Sequence, residues 1–261
     1  MQRLCAALIV NYCSLCLAQS PALYFSHAAQ SKSADGSLII TASSPRPMEQ
    51  AASVLRREFG WTVDYEDPQY GNDRIRSGQD SRLQLVGGKF KVRIVPPANG
   101  SPDAEQHTLQ QFVNAFNAQK QDKFKILRTS DQRFDIVPDV PGEQPVLDTP
   151  VAIDSRNKTI GETIDWILAR VSEARGVQVV RVGIIDNGLE NTRITLTHKT
   201  AVPARQLLNE ALGHLSYQRF WILTYEPNDQ SFYIGIQPTV KTVHAADGKT
   251  FVMPVVNLHS R

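Results

Sequence analysis

Two carboxylates and two phenols crowd one short stretch, Tyr65-Glu66-Asp67-Pro68-Gln69-Tyr70. Groups of this kind hold polar ligands, so Tyr65, Glu66, Asp67 and Tyr70 are the candidate binding residues, placed at the end of a strand. Adjacent residues on an extended strand point to opposite faces, so Glu66 and Asp67 cannot act on one substrate as an acid–base pair. A simpler account is that Asp67-Pro68 starts a turn.

The rest of the chain offers little catalytic chemistry. His198 and His214 flank one predicted helix but stand sixteen residues apart, with no third ligand near them in sequence; solvent-facing or capping roles suit them better than metal binding. Gly87-Gly88-Lys89 is followed by a strand rather than a helix, so it lacks the context of a phosphate loop. Neither Gly-x-Ser-x-Gly nor His-Glu-x-x-His occurs. Trp61, Trp166 and Trp221 could stack on sugars. Trp166 falls within an apolar helix stripe, however, and Trp221 alternates with Phe220 and Ile222, which assigns at least two of the three to packing. Asn99-Gly100-Ser101 and Asn157-Lys158-Thr159 match the glycosylation sequon. The expectation is no catalytic residue, no metal set, no cofactor and no enzymatic activity.

The elements that position these residues are written twice. Phe124–Ile136 reads FKILRTSDQRFDI and Phe220–Ile236 reads FWILTYEPNDQSFYIGI. Each starts Phe-x-Ile-Leu, passes through a polar turn holding Asp-Gln, and returns as a strand. Upstream, Leu38–Thr41 is a predicted strand, Pro47 opens a helix with Met48, Ala51, Ala52, Leu55 and Phe59 on one stripe, and Gly60 ends it before strand Trp61–Tyr65. The second copy matches. Strand Val151–Ile153 leads through the capping box Thr159-x-x-Glu162 into a helix bearing Ile160, Ile164, Ile167, Leu168 and Val171, then Gly176 and strand Val177–Val182. The later parts also correspond: strand Phe90–Val95, a helix with Leu109, Phe112, Val113 and Phe116, and the first hairpin answer to strand Arg193–Thr197, a helix with Leu207, Leu208, Ala211, Leu212 and Leu215, and the second hairpin. The predicted fold is α+β: two tandem β-α-β-β-α-β-β two-layer sandwich units, residues 37–137 and 148–238, joined by a linker at 138–147. Leu83–Val86 is expected to pair with Lys89–Val95 across Gly87-Gly88. Residues 67–82 are expected to be a mobile loop, and 239–261 a tail or edge hairpin turning at Asp247-Gly248.

Residues 1–18 read as a signal peptide: Arg3, then the apolar run Leu4–Leu17, then Cys16-Leu17-Ala18 before Gln19. The run is shorter than the roughly 20 residues of a spanning helix, so no membrane span is expected after cleavage. Residues 19–36 are Ser/Ala-rich and expected to be a disordered leader. All three cysteines, Cys5, Cys13 and Cys16, lie in the signal, which excludes disulfides and thiolate sites from the mature chain. Without Arg3, 27 basic side chains face 26 acidic ones, a net charge of +1. That balance, with the basic residues scattered, does not suggest nucleic acid as a partner.

Pro47-Met48-Glu49-Gln50-Ala51 through Gly60-Trp61-Thr62-Val63, and Ile194-Thr195-Leu196 through Leu207-Leu208 to Ala211-Leu212, together resemble the short N-terminal domain of secretins and TonB-dependent receptors. About 200 residues are covered, as two copies. The Tyr65–Pro68 segment is similar to one in uncharacterised secreted bacterial proteins. The resemblance implies an exported, periplasmic or extracellular, non-enzymatic module that binds another envelope protein. No secretin ring or receptor barrel follows up to Arg261, so gating and uptake are not carried over. The alternative from a different class is an extracytoplasmic glycan-binding protein or enzyme using Tyr65–Tyr70.

Overall fold

The computed structural model describes residues 28–78, 80–97, 101–130, 133–183, 186–245 and 249–257; the signal segment and the turns at Asp131-Gln132 and Asp247-Gly248 lie outside them. In chain order the first half contains Ala29–Lys32 (β1), Leu38–Ser44 (β2), Pro47–Phe59 (α1), Thr62–Glu66 (β3), Ile75–Ser77 (β4), Leu83–Leu85 (β5), Gly88–Ile94 (β6), Pro102–Gln119 (α2), Phe124–Ser130 (β7) and Arg133–Pro138 (β8). The second half contains Pro150–Thr159 (β9), Ile160–Arg175 (α3), Val179–Val182 (β10), Asn187–Asn191 (α4), Arg193–Pro203 (β11), Ala204–Gly213 (α5), Arg219–Glu226 (β12) and Ser231–Pro238 (β13). Val240–His244 (β14) and Thr250–Pro254 (β15) follow. The fold is α+β.

Local chemistry sets the helix ends. Ser101 caps α2, accepting from the Ala104 N–H, with Pro102 in the first turn. Thr159 and Glu162 close a reciprocal capping box on α3, with Thr159 N–H donating to Glu162 at 2.8 Å and Glu162 N–H to Thr159 Oγ1 at 3.1 Å. Gly60 and Gly176 sit at φ 72° and 66°, left-handed positions that end α1 and α3. Except for the half-buried Phe59 and the exposed Trp166, the apolar stripe residues named above are buried.

The same pairing order occurs in both halves. In the first, β2 pairs antiparallel with β6, and β3 runs parallel to β8, which pairs antiparallel with β7. In the second, β9 pairs antiparallel with β11, and β10 runs parallel to β13, which pairs antiparallel with β12. The halves meet in one sheet: β12 pairs parallel with β3, giving the order β10-β13-β12-β3-β8-β7. Along β12, Phe220 and Ile222 pack with the first-half helices, whereas Trp221, Leu223 and Tyr225 pack with those of the second half. Alternate strand residues face opposite sides, so the two cores lie on opposite faces of this shared sheet.

Several details differ from expectation. β5 pairs with β4, while β6 pairs with β2, so no hairpin turns at Gly87-Gly88; the longer apolar ladder with β2 claims β6. Within the loop expected at 67–82, Asp67 and Tyr70 are buried, residues 72–74 form a 3-10 turn, and Arg74 pairs with Asp122 and accepts the Val86 N–H on its carbonyl. β1 falls inside the expected disordered leader; its side chains are exposed, and backbone bonding to β2 holds it. Within 138–147, Pro138 ends β8, and Val146 and Leu147 are buried in a 3-10 turn that joins the second core. Trp166 is exposed beside Arg170 instead of joining the α3 stripe, while Trp61 and Trp221 are buried. Among the described residues no helix is long and apolar enough to cross a membrane.

Candidate functional site

The Tyr65–Tyr70 segment lies where the two halves join. β3 is buried along its whole length because helices cover it from both sides. Trp61, Val63 and Tyr65 enter the first core, leaving Thr62, Asp64 and Glu66 to face the second. Asp67 follows the strand end, where its N–H donates to Leu223 O at 2.8 Å.

Asp67 gathers the other predicted residues around it. Its Oδ1 accepts the Tyr65 hydroxyl at 2.7 Å and the Tyr70 hydroxyl at 2.9 Å. Its Oδ2 accepts Arg46 Nε at 2.5 Å and the Tyr225 N–H at 2.9 Å. Arg46 also donates Nη2 to Tyr225 O at 2.5 Å. Burial and the adjacent Asp67 carboxylate push the Tyr65 and Tyr70 phenols well above the ordinary tyrosine range. For Arg46, burial favours the neutral form but Asp67 outweighs it, so the guanidinium stays charged. Glu66 points the other way, as strand alternation requires. It accepts Arg205 Nη2 at 2.8 Å and the Leu147 N–H at 3.3 Å. The structure thus brings Tyr65, Asp67 and Tyr70 together and separates Glu66 from them.

A second polar group was not foreseen. Asp64 on β3 lies directly opposite Asp135 on β8, and both are fully buried. Arg205, at the start of α5, reaches Glu66, Asp135 (3.2 Å) and Asp148 (2.5 Å). Arg133 Nη1 donates to Asp64 at 2.7 Å and to Asn209 at 2.9 Å, and Asn209 accepts the Trp221 indole N–H at 2.9 Å. Burial, with Arg133 opposing it and Asp135 reinforcing it, pushes the Asp64 carboxyl up to about 8. Its buried setting therefore favours the protonated form of Asp64. Burial also raises the Glu66 carboxyl, against the pull of Arg205.

These carboxylates complete the sheet. The β12–β3 ladder has only two registered pairs, Ile222 with Tyr65 and Leu223 with Glu66. Beyond it, the Trp221 N–H donates to Asp64 Oδ1 at 2.7 Å and the Tyr225 N–H donates to Asp67. Two aspartate side chains therefore take the place of backbone carbonyls where the strands diverge. Every oxygen of Asp67 is occupied and Tyr65, Glu66, Asp67 and Tyr70 are all buried, so their polar atoms serve the interior and do not face a ligand.

The remaining candidates scatter. His198 on β11 pairs with Glu210 on α5 at 2.8 Å, and His214 is the C-cap of α5. No cluster of three His, Cys, Asp or Glu suited to a metal occurs among the described residues. Asp64 and Asp135 occupy polar positions of alternating strands, so neither stands out in the sequence. A scan against protein-family models finds no match, and no curated protein or solved structure matches the chain either.

Proposed function

We propose that this chain is an exported, non-enzymatic protein-interaction module of the bacterial cell envelope, composed of two secretin/TonB-type short domains fused through one sheet. The partner is another envelope protein, bound by strand addition at the outer edge of β15 in the periplasm or the medium. The observation that carries this reading is the C-terminal hairpin: Phe251, Val252 and Met253 on β15 are 49%, 61% and 54% exposed. Exposed apolar strands with an open edge are templates for pairing with another chain. By contrast β7, an outer strand of the main sheet, carries Lys125 and Arg128, charges that discourage pairing.

The hydrogen-bond alternation identifies the pairing groups. Val255 N–H donates to Thr239 O and Ala245 N–H to Lys249 O, so the Val252 amide points away from β14. Val252→Pro therefore removes an outward donor and leaves the β14 ladder intact. A photo-crosslinking side chain at Met253, presented to envelope extract, should yield one discrete protein adduct that Val252→Pro abolishes. An adduct pattern matching the same crosslinker placed at Trp166, or one indifferent to Val252→Pro, would refute the reading. The burial of Tyr65, Glu66, Asp67 and Tyr70 favours this reading over a glycan-binding or enzymatic use of that segment.

A further inference from the structure

Basic residues scattered in sequence are brought together at one cavity on the first half. It has a volume of about 650 Å³ and lies between the turn Ser43–Arg46, the β4–β5 hairpin and the turn after β12. Arg46, Arg76, Arg82 and Lys89 line it, and among the described residues the only acidic one in its wall is Glu226. Glu226 is already engaged, accepting the backbone N–H of Asn228 at 3.2 Å and its side-chain amide at 2.5 Å.

The cations differ in how they are held. Arg46 is fixed from behind: Nε binds Asp67 and Nη2 binds Tyr225 O, while Nη1 makes no bond among the described residues. Arg76, Arg82 and Lys89 form no ion pair among the described residues, although ion pairs are common elsewhere in the chain. Behind Gly88, the Lys120 Nζ comes within 3.6 Å of where a Cβ would stand. Like charges focused in one concavity repel each other and raise the local affinity for anions. Leu83 and Leu85 provide an apolar wall beside them.

We propose that this cavity is a binding site for a small phosphate ester. The Arg76 and Arg82 guanidinium groups supply planar pairs of donors that match phosphate oxygens, Arg46 adds its Nη1, and a multivalent anion relieves several unpaired cations at once. The cavity exceeds what a bare phosphate fills and lies in the size range of small-molecule sites, leaving room for the esterified body against Leu83 and Leu85. The site is separate from the β15 edge and does not depend on the interaction reading above.

The test is calorimetric titration of the full mature chain with pyrophosphate and with phenyl phosphate, at about 0.15 M salt so that diffuse surface attraction is screened. Saturable binding of both probes is expected, weakened about tenfold or more in Arg76→Ala/Arg82→Ala. Both side chains are exposed, so the double variant should keep the parent melting temperature. No saturable heat up to about 10 mM probe, or equal affinity in parent and variant, overturns the proposal. A second variant, Lys89→Glu, guards against compensation, because a reversed charge at the cavity wall must weaken both probes if the site is real.

Discussion

Arg205 holds together more buried charge than any other side chain described above, and Arg205→Met measures what that costs. The guanidinium is 4% exposed and pairs with Glu66 and Asp135, both at 0%, and with the partly exposed Asp148. Methionine keeps most of the volume, so the loss is electrostatic. Removing one partner of a buried ion pair typically costs about 3–5 kcal/mol. The penalty has a ceiling, because an unpaired carboxylate can take up a proton instead. For Glu66 that costs about 4 kcal/mol at pH 7 but only about 1 kcal/mol at pH 5, from the ordinary glutamate pKa. In the variant the native carboxyl binds protons that the unfolded chain releases, so native stability rises as pH falls through this window. The gap between wild type and Arg205→Met should therefore be about 4 kcal/mol at pH 7 and shrink by about 2–3 kcal/mol at pH 5. Urea unfolding followed by far-UV circular dichroism and by Trp221 fluorescence gives both values. The indole of Trp221 is bonded to Asn209 on the same helix as Arg205 and reports directly on the seam. A gap that stays constant from pH 5 to pH 7 would show that the loss is packing alone and would refute the electrostatic account.

Asp64→Asn should remove a loss of stability that wild type suffers as pH rises. Burial pushes the Asp64 carboxyl up to about 8 in the folded chain from its ordinary 3.8, so folding binds a proton between those limits and wild-type stability falls as pH rises through them. Asparagine keeps the carbonyl that accepts from the Trp221 N–H but sets an amide donor where Oδ2 accepts from Arg133, so the variant should be the less stable near pH 5; the gap in urea midpoints should move in its favour between pH 5 and pH 8 and stay level above, and a gap that is constant or moves the other way would contradict the raised carboxyl. Gly176→Val should lower stability by about 1–2 kcal/mol through backbone strain alone, because φ is 66° and nothing lies within 4 Å of the new Cβ. A calorimetric melting temperature unmoved by that change would count against the left-handed cap. Leu212→Ala, at a residue 1% exposed in the second core, should cost about 2–5 kcal/mol by cavity formation, measured by the same urea titration.

The helices were legible because their signals are local and carried by few residues. Thr159 with Glu162, Ser101 with Pro102, and the glycines at 60 and 176 mark ends that the structure reproduces. Stripes at spacings of three and four have only one burying face to choose. The seam was not legible for a related reason. In Thr62–Glu66 and Arg133–Pro138 polar and apolar residues alternate, the pattern of a strand with one wet face. A period of two says that alternate residues share a side; it does not say whether water or Arg205 waits there. That Asp64 would meet Asp135, and that α5 would cover them, depends on contacts more than 60 residues apart in sequence. Arg76, Arg82 and Lys89 raise the same difficulty at the surface, since their convergence follows from β5 turning back on β4 rather than pairing with β6.

The polar seam also bears on which alignment of the halves can exist. Two registered pairs between β12 and β3 are too few to fix a register by backbone bonding alone. Sliding β3 by one residue would turn Asp64 and Glu66 into the first core, among Phe134, Ile136 and Phe220, and leave Arg205 facing Tyr65 and Val63. That arrangement buries two carboxylates without partners, each at a cost of several kcal/mol, and leaves Arg205 with Asp135 and Asp148 alone. A slip of two residues restores the faces but moves Asp64 away from the Trp221 N–H and Asp67 away from the Tyr225 N–H, leaving two buried donors open. An apolar seam would tolerate either slip at far lower cost. The charges need not add net stability to be useful here: they make the alternatives worse, and so tie the position of one half to that of the other.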